Sequence, residues 1–144
     1  MSYDQKINRV CDYISQNLDE ALTLDRLSDV AILSKFHFHR LFSTYTGLSL
    51  FKFIQMARLK RASLQLAFKE DLKVIDIAMT AGFESPEAFT RAFKRTFGQT
   101  PTEFRKTPEW SVWHSKYQFK FPKGENIMDV KIVNLEEQKV AMIE

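Results

Sequence analysis

The chain has 144 residues, of which 44% are hydrophobic and 27% are charged, a composition typical of a soluble globular protein. No apolar run has the length needed to cross a bilayer and no secretory leader pattern is present, so we expect a cytoplasmic protein without a membrane segment. The single cysteine, Cys11, excludes an internal disulfide and a cysteine-rich zinc site.

The net charge of +3 is spread unevenly along the chain. Residues 1–33 hold three Lys/Arg against six Asp/Glu, residues 34–106 hold thirteen against six, and residues 107–144 hold five against six. Clustered lysines and arginines release the counterions that surround phosphates, so a basic middle favours a polyanion as partner. Basic helical surfaces are also common without such a partner, so charge alone does not decide the function.

Helix signals fill the first half of the chain. Apolar residues recur at helical spacing from Tyr3 to Leu18 and predict a first helix. Thr23 is a typical N-cap for a short second helix, and residues 34–47 predict a third that begins at a serine and ends at a glycine. Residues 49–68 predict a longer helix that is apolar around much of its circumference, so we expect it to be buried between two bodies.

The second half repeats this design. Residues 74–79 predict a short helix that is followed by Ala81-Gly82, a turn in which glycine tolerates a left-handed backbone. Ser85-Pro86 supplies an N-cap and a first-turn proline for a helix with an aromatic inner face. A capping box at residues 100–103 then starts a last short helix that runs to about Lys106.

The character of the sequence changes after Pro108. Aromatic residues are scattered from Trp110 to Phe121, and the stretch "MDVKIVNLEEQKVAMIE" shows two β-like apolar runs around a polar turn. Two strands are too few for a stable sheet. We therefore expect residues 1–108 to form one domain, and residues 109–144 to form a linker and the truncated, β-like start of another.

A repeat is the most informative feature of the sequence. Laid serine on serine, "SKFHFHRLFSTYTGLSLFKFI" from Ser34 matches "SPEAFTRAFKRTFGQTPTEFR" from Ser85 at several phenylalanines, an arginine and a glycine. Each copy follows a short helix and a tight turn, which predicts a helix-turn-helix whose second helix lies in the major groove. The predicted fold class is therefore all-α, with two helix-turn-helix subdomains joined by the long central helix.

Each repeated helix has an outer stripe of side chains once its apolar inner positions are removed. Arginine can bind guanine N7 and O6, threonine can use its hydroxyl or methyl, glutamate can accept from cytosine N4, and phenylalanine can touch a thymine methyl. The predicted base-reading residues are Phe36, His39 and Arg40 in the first copy and Glu87, Thr90 and Arg91 in the second. The candidates for phosphate contacts, of which we expect only some to matter, are Lys35, Ser43, Arg58, Lys60, Arg61, Lys94 and Arg95.

A chain that contains two recognition helices can contact two DNA half-sites without dimerising. One major-groove helix reads few base pairs, and many proteins of this kind double the reader by dimerising. Successive major grooves on one face of DNA are about 34 Å apart, and a helix of roughly twenty residues spans about 30 Å. The duplication therefore predicts a monomer that reads two adjacent major grooves through direct half-sites.

The stretch "AGFESPEAFTRAFKRTFGQTPTEFR" resembles the signature of the AraC/XylS family of bacterial transcription regulators. The resemblance covers about residues 5–107 and rests on a Gly-Phe pair, an Arg-x-Phe-Lys run and a Gly-x-Thr-Pro-x-x-Phe-Arg tail that occur in order. It implies a seven-helix, two-subdomain DNA-binding module that controls promoters and recruits or positions RNA polymerase. It also implies base contacts at the six reading positions named above.

One residue departs from this pattern, because Ile32 stands where the second copy has Gly82. A β-branched residue in a left-handed turn costs roughly 1–2 kcal/mol. We therefore expect the first turn to be distorted.

The end of the chain carries a second resemblance. "TPEWSVW" and the later "MDVKIVNLEEQKVAMIE" are similar to the junction in family members that have a C-terminal gyrase-inhibitor-like effector-binding domain. This implies a small-molecule effector whose binding site lies mostly beyond these residues.

Other functions find less support in the sequence. His37 and His39 lie on different sides of a helix, which disfavours a metal site. No phosphate loop, nucleophile elbow or dinucleotide fingerprint is present, so we expect neither an enzyme nor a cofactor. Two alternatives stay open: an architectural protein that binds DNA by charge and shape, which needs stripes of mainly Lys/Arg, and a protein-binding helical bundle, which the basic middle disfavours.

Overall fold

A computed structural model describes residues 2–116 of the chain. All regular secondary structure within these residues is helical, which confirms the predicted fold class, and the β-like segment lies outside them. The helices are α1 (Tyr3–Gln16), α2 (Leu24–Ala31), α3 (Lys35–Thr46), α4 (Leu50–Phe68), α5 (Val74–Thr80), α6 (Pro86–Phe97), α7 (Pro101–Lys106) and α8 (Ser111–Lys116).

Hydroxyl side chains cap the helices that carry the repeat. The Oγ of Ser34 accepts from the backbone N–H three residues later at 3.3 Å, and the Oγ of Ser85 does the same at 3.1 Å. Thr100 and Glu103 form the predicted capping box at the start of α7. The backbone N–H of Thr100 donates to the Glu103 carboxylate, and this hydrogen bond lowers the pKa of Glu103. The starts of α3, α6 and α7 are therefore set by local sequence.

The described residues divide into two compact units, one over residues 2–57 and the other over residues 58–116. α4 contributes its first turns to the first unit and the remainder to the second. Each core is built on the aromatic inner faces that the repeat predicted. The fully buried phenylalanines of these faces are Phe38 and Phe42 in the first unit and Phe89, Phe93 and Phe97 in the second.

The structure corrects the prediction at one helix end and adds one helix. α1 ends at Gln16 and not at Leu18, because Asn17 leaves the helical conformation and its side-chain amide donates to a carbonyl of the preceding turn at 2.8 Å. After Pro108, where we expected a linker, the chain forms α8, whose Trp113 is fully buried. A helix of six residues is too short to show a helical period in the sequence, so its aromatic packing was not predictable from spacing.

The turn between α2 and α3 is closed normally, so the expectation of a distorted turn is wrong. Ile32 adopts the left-handed conformation, with φ 57° and ψ 49°, and the equivalent Gly82 has φ 84°. The backbone N–H of Ile32 donates to the carbonyl of Asp29 at 3.0 Å. The Ile32 side chain is 65% exposed, whereas a Cβ on Gly82 would lie 2.9 Å from the side chain of Arg58. The first turn therefore has room for a side chain but keeps the backbone strain.

Replacing Ile32 with glycine is expected to stabilise the protein. The substitution relieves about 1–2 kcal/mol of left-handed strain and returns about 0.5–1 kcal/mol as extra freedom of the unfolded chain. The free energy of unfolding from urea titration should therefore rise by up to about 1.5 kcal/mol. Ile32→Ala keeps the Cβ and should give no such gain, and equal effects of the two variants would show that strain is not the cause.

Candidate nucleic-acid interface

The outer face of α6 carries the second predicted stripe. Glu87 and Arg91 are exposed, and Thr90 is half-buried. The hydroxyl of Thr90 donates to the carbonyl of Pro86 at 2.9 Å, which leaves its methyl group and the lone pairs of its oxygen for a ligand. The stripe therefore presents a carboxylate, a methyl group and a guanidinium fork side by side.

The outer face of α3 carries the first stripe and is chemically different. Phe36 is 73% exposed, His39 and Arg40 are exposed, and Ser43 is half-buried. The guanidinium carbon of Arg40 lies 5.5 Å from the centroid of the Phe36 ring, which is within cation–π range. Removing an exposed phenylalanine ring from water lowers the free energy, so Phe36 favours a ligand that places an apolar group against the ring.

The phosphate candidates beside these stripes differ in their present partners. Arg95 is exposed in the last turn of α6. Lys35 pairs with the carboxylate of Asp25, and the hydrogen bond between them raises the pKa of Lys35. The Nζ of Lys94 lies 3.9 Å from the carboxylate of Glu103. Both lysines must therefore share their charge between an acidic neighbour and any phosphate.

Two arginines of α4 face the second helix-turn-helix. The guanidinium of Arg61 donates to the carbonyl of Thr80, the last residue of α5, at 3.1 Å. The side chain of Arg58 lies against Gly82, in the turn that follows α5. Both remain predicted phosphate contacts, and the structure shows in addition that they support the turn that leads to α6.

Lys60 does not belong to this surface, and its prediction as a phosphate contact is wrong. The residue is 2% exposed, and its ammonium lies 4.6 Å from the ring centroid of Trp110 and 5.0 Å from that of Trp113. The two tryptophans come from the segment that we expected to be a linker, so no local pattern indicated that they would cover this lysine.

Arg105 has a role that sequence reasoning missed. Its guanidinium donates to the carbonyls of Leu66 at 3.0 Å, Lys69 at 3.0 Å and Leu72 at 2.7 Å. These carbonyls lie at and just after the C-terminal end of α4, where backbone acceptors lack helical partners. Because the partners are 33 to 39 residues away, no local pattern could have indicated the contact.

The two histidines of α3 have separate surroundings. The ring of His37 meets that of Tyr3 edge to face, with centroids 5.4 Å apart, while His39 is exposed on the reading stripe. Within residues 2–116, no group of three His, Cys, Asp or Glu side chains is arranged to hold a metal ion. No helix of this described part is both long and apolar enough to cross a membrane.

Comparison with known proteins places this arrangement in a family. Residues 27–107 match the model of a helix-turn-helix domain family. The chain is 37% identical over 101 residues to the right origin-binding protein of Escherichia coli K12. This alignment covers 70% of this chain and 35% of that protein. It is 35% identical over 106 residues to the transposon Tn10 TetD protein of Escherichia coli, with 74% of this chain and 76% of that protein covered.

The fold agrees with that of a solved regulator. A transcriptional regulator from Chromobacterium violaceum, described as an AraC-type DNA-binding domain-containing protein, matches with a TM-score of 0.66 and 26% identity. The match covers 74% of this chain and 96% of that one. By contrast, the matched part spans only about a third of the origin-binding protein and of a Bacillus subtilis regulator. The chain belongs to the family of AraC-type helix-turn-helix DNA-binding domains.

Proposed function

We propose that this chain is a sequence-specific transcription regulator that reads two adjacent major grooves as a monomer. The observation that carries the proposal is the pair of outer stripes on α3 and α6, whose side chains are exposed except for the half-buried Ser43 and Thr90, while the opposite faces are buried. A recognition helix needs such a face, because only side chains that leave the protein surface reach base edges.

The chemistry of the stripes favours base reading over binding by charge alone. Phe36 and Glu87 occupy equivalent positions in the two readers, and neither is a cation. An architectural protein that relied on charge would gain from Lys or Arg at both places. Phe36 instead suits a thymine methyl and Glu87 suits cytosine N4, so the two half-sites should differ in sequence.

The partners follow from the same proposal. The ligand of the two units is double-stranded promoter DNA in the cytoplasm, and the regulator acts by recruiting or positioning RNA polymerase. A C-terminal effector-binding domain of the gyrase-inhibitor-like type, beginning in residues 109–144, would take a small-molecule effector. Of that segment, residues 117–144 lie outside the described part of the chain. The proposed DNA contacts of the six reading residues involve neither catalysis nor a cofactor.

A competition gel shift tests sequence specificity. Binding sites are selected from random DNA, and the selected duplex is then challenged with a scrambled duplex of equal length at physiological salt. We expect the scrambled DNA to compete at least about a thousandfold less well, as in specific protein–DNA complexes. Equal competition would favour the architectural alternative, and no binding even at low salt would favour a protein-binding bundle.

The basic residues should separate in the salt dependence of binding. Each lost phosphate contact lowers the slope of log affinity against log salt by about 0.9. We expect Arg95→Ala to give most of this change on cognate and scrambled DNA alike, and Lys35→Ala to give less, because Asp25 already neutralises that lysine. Arg9→Ala on α1 is the control, since Arg9 is exposed but lies on neither reading helix. An unchanged slope for Arg95→Ala would remove that residue from the interface.

A further inference from the structure

Helix α8 lies beyond residues 27–107, the span of the shared helix-turn-helix domain. It nevertheless packs into the second unit. Trp113 is fully buried, and Trp110, which precedes α8, is half-buried. The ring of Trp110 meets that of Phe104 edge to face, with centroids 4.9 Å apart. These residues after Pro108 are therefore part of the DNA-binding unit in this protein.

The segment contacts the C-terminal end of the reading helix α6. The indole of Trp113 stacks on the ring of Phe97, the last residue of α6, with centroids 5.4 Å apart and an interplanar angle of 14°. The methyl Cγ2 of Val112 lies 3.6 Å from the point that a Cβ on the next residue, Gly98, would occupy. The two contacts involve Phe97, the last residue of α6, and Gly98, its C-cap. They therefore help to fix the position of this end of the helix.

Hydrogen bonds support the same junction. The side-chain oxygen of Gln99 accepts from the backbone N–H of Glu109 at 3.1 Å, and its amide nitrogen donates to the carbonyl of Thr107 at 3.0 Å. Gln99 therefore ties the turn after α6 to the chain on its way into α8.

Lys60 anchors the two tryptophans to α4. A buried ammonium is costly unless it is partnered, and the negative faces of aromatic rings attract it. The indoles of Trp110 and Trp113 both lie within 5.0 Å of the Lys60 ammonium, measured to their ring centroids. We call Lys60, Trp110 and Trp113 the tryptophan clamp. Its three members join α4, α8 and, through Phe97, the reading helix.

We infer that the tryptophan clamp positions α6, so that Trp113 and Lys60 determine base discrimination at the second half-site without touching DNA. This inference rests on the proposed function, because it assumes that Arg91 and its neighbours read bases. Reading side chains must be held within about 0.5 Å and 10–20° of their productive geometry. A shift of the last turn of α6 tilts the whole helix, and the reading stripe with it.

The test measures base preference at each half-site separately, with wild type, Trp113→Ala and Trp113→Phe. A bidentate base contact discriminates by roughly 5- to 150-fold. In Trp113→Ala we expect the preference at the second half-site to fall by about tenfold or to vanish, while that at the first half-site stays unchanged. Trp113→Phe keeps a ring against Phe97 and should restore most of the preference. Ile77→Ala, which truncates another buried residue of the second unit, controls for a general loss of stability.

All variants are compared at a temperature at which circular dichroism shows them fully folded. If Trp113→Ala does not fold, Trp113→Leu carries the test, because it keeps apolar volume but removes the stacked ring. The inference is overturned if a folded variant retains the second half-site preference, or if it loses both half-sites equally, as a purely structural role predicts. If wild type itself shows no base preference at either half-site, the proposed function fails, and the inference fails with it.

Discussion

Arg91→Ala is expected to weaken binding to the cognate site by about 1–3 kcal/mol and to remove the base preference at one position of the second half-site. The reason is geometric, since a guanidinium can donate two parallel hydrogen bonds to guanine N7 and O6. The exposed position of Arg91 on α6, opposite a fully buried phenylalanine face, gives it the required access. Arg40→Ala should have the same effect at one position of the first half-site. Binding-site selection with each variant gives the preference, and titration of single-base mismatches gives the energy.

A lysine variant separates base reading from attraction by charge. Arg91→Lys keeps the positive charge but loses the planar fork, so it should retain affinity for scrambled DNA and lose guanine preference. If Arg91→Ala weakened binding to every duplex equally, with preference intact, Arg91 would be a phosphate contact and not a base reader. The same comparison at Arg40 also involves Phe36, because the Arg40 guanidinium lies over the ring of Phe36. Phe36→Ala should therefore reduce the guanine preference of Arg40 as well as any preference for a neighbouring thymine.

The second large effect is expected from the spacing of the half-sites. Inserting about half a helical turn of DNA, five base pairs, moves one half-site to the opposite face of the duplex. Two linked readers that can no longer bind together lose an avidity that ranges from about 10²- to 10⁴-fold. We expect affinity for the expanded site to fall by this factor, to the level of a duplex with one half-site scrambled. Titrations of the native, expanded and half-scrambled duplexes make the measurement.

A second insertion reports on the stiffness of the connection. Ten added base pairs restore the face of the duplex but double the separation, so a rigid α4 predicts that affinity stays low. Recovery of affinity at ten base pairs would mean that the connection stretches. Undiminished affinity at five would mean that the two units move independently, and would contradict the prediction that the helix over residues 49–68 is a rigid spacer between them.

Local sequence was sufficient to predict most of the fold. The capping residues Ser34, Ser85 and Thr100 start their helices as expected, because each makes its hydrogen bond within three residues. The aromatic inner faces were also predictable, because phenylalanines that recur at helical spacing are most simply explained as core residues. The left-handed backbone at Ile32 was predictable too, from its alignment with Gly82, although the turn keeps its strain without distortion.

What was missed depends on contacts between distant residues. Lysine is usually a surface residue, and only the fold shows that two tryptophans about fifty residues later cover Lys60. Arg105 looked like a basic residue near a helix end, but its hydrogen bonds go to the end of a different helix. The hydrogen bond from the Thr90 hydroxyl to the carbonyl of Pro86 is an exception, because its partners are only four residues apart. The assignment of reading residues to bases stays a prediction, since it concerns a ligand and not the chain alone.

The most direct measurement is guanine-N7 methylation interference on a complex that contains one protein per selected duplex, with the stoichiometry fixed by analytical ultracentrifugation. We predict two clusters of interfering guanines about one helical turn apart on the same face of the DNA. Arg40→Ala should remove interference from one cluster and Arg91→Ala from the other. A single cluster at this stoichiometry, or a second cluster that appears only when two proteins bind, would contradict the reading of two grooves by one chain.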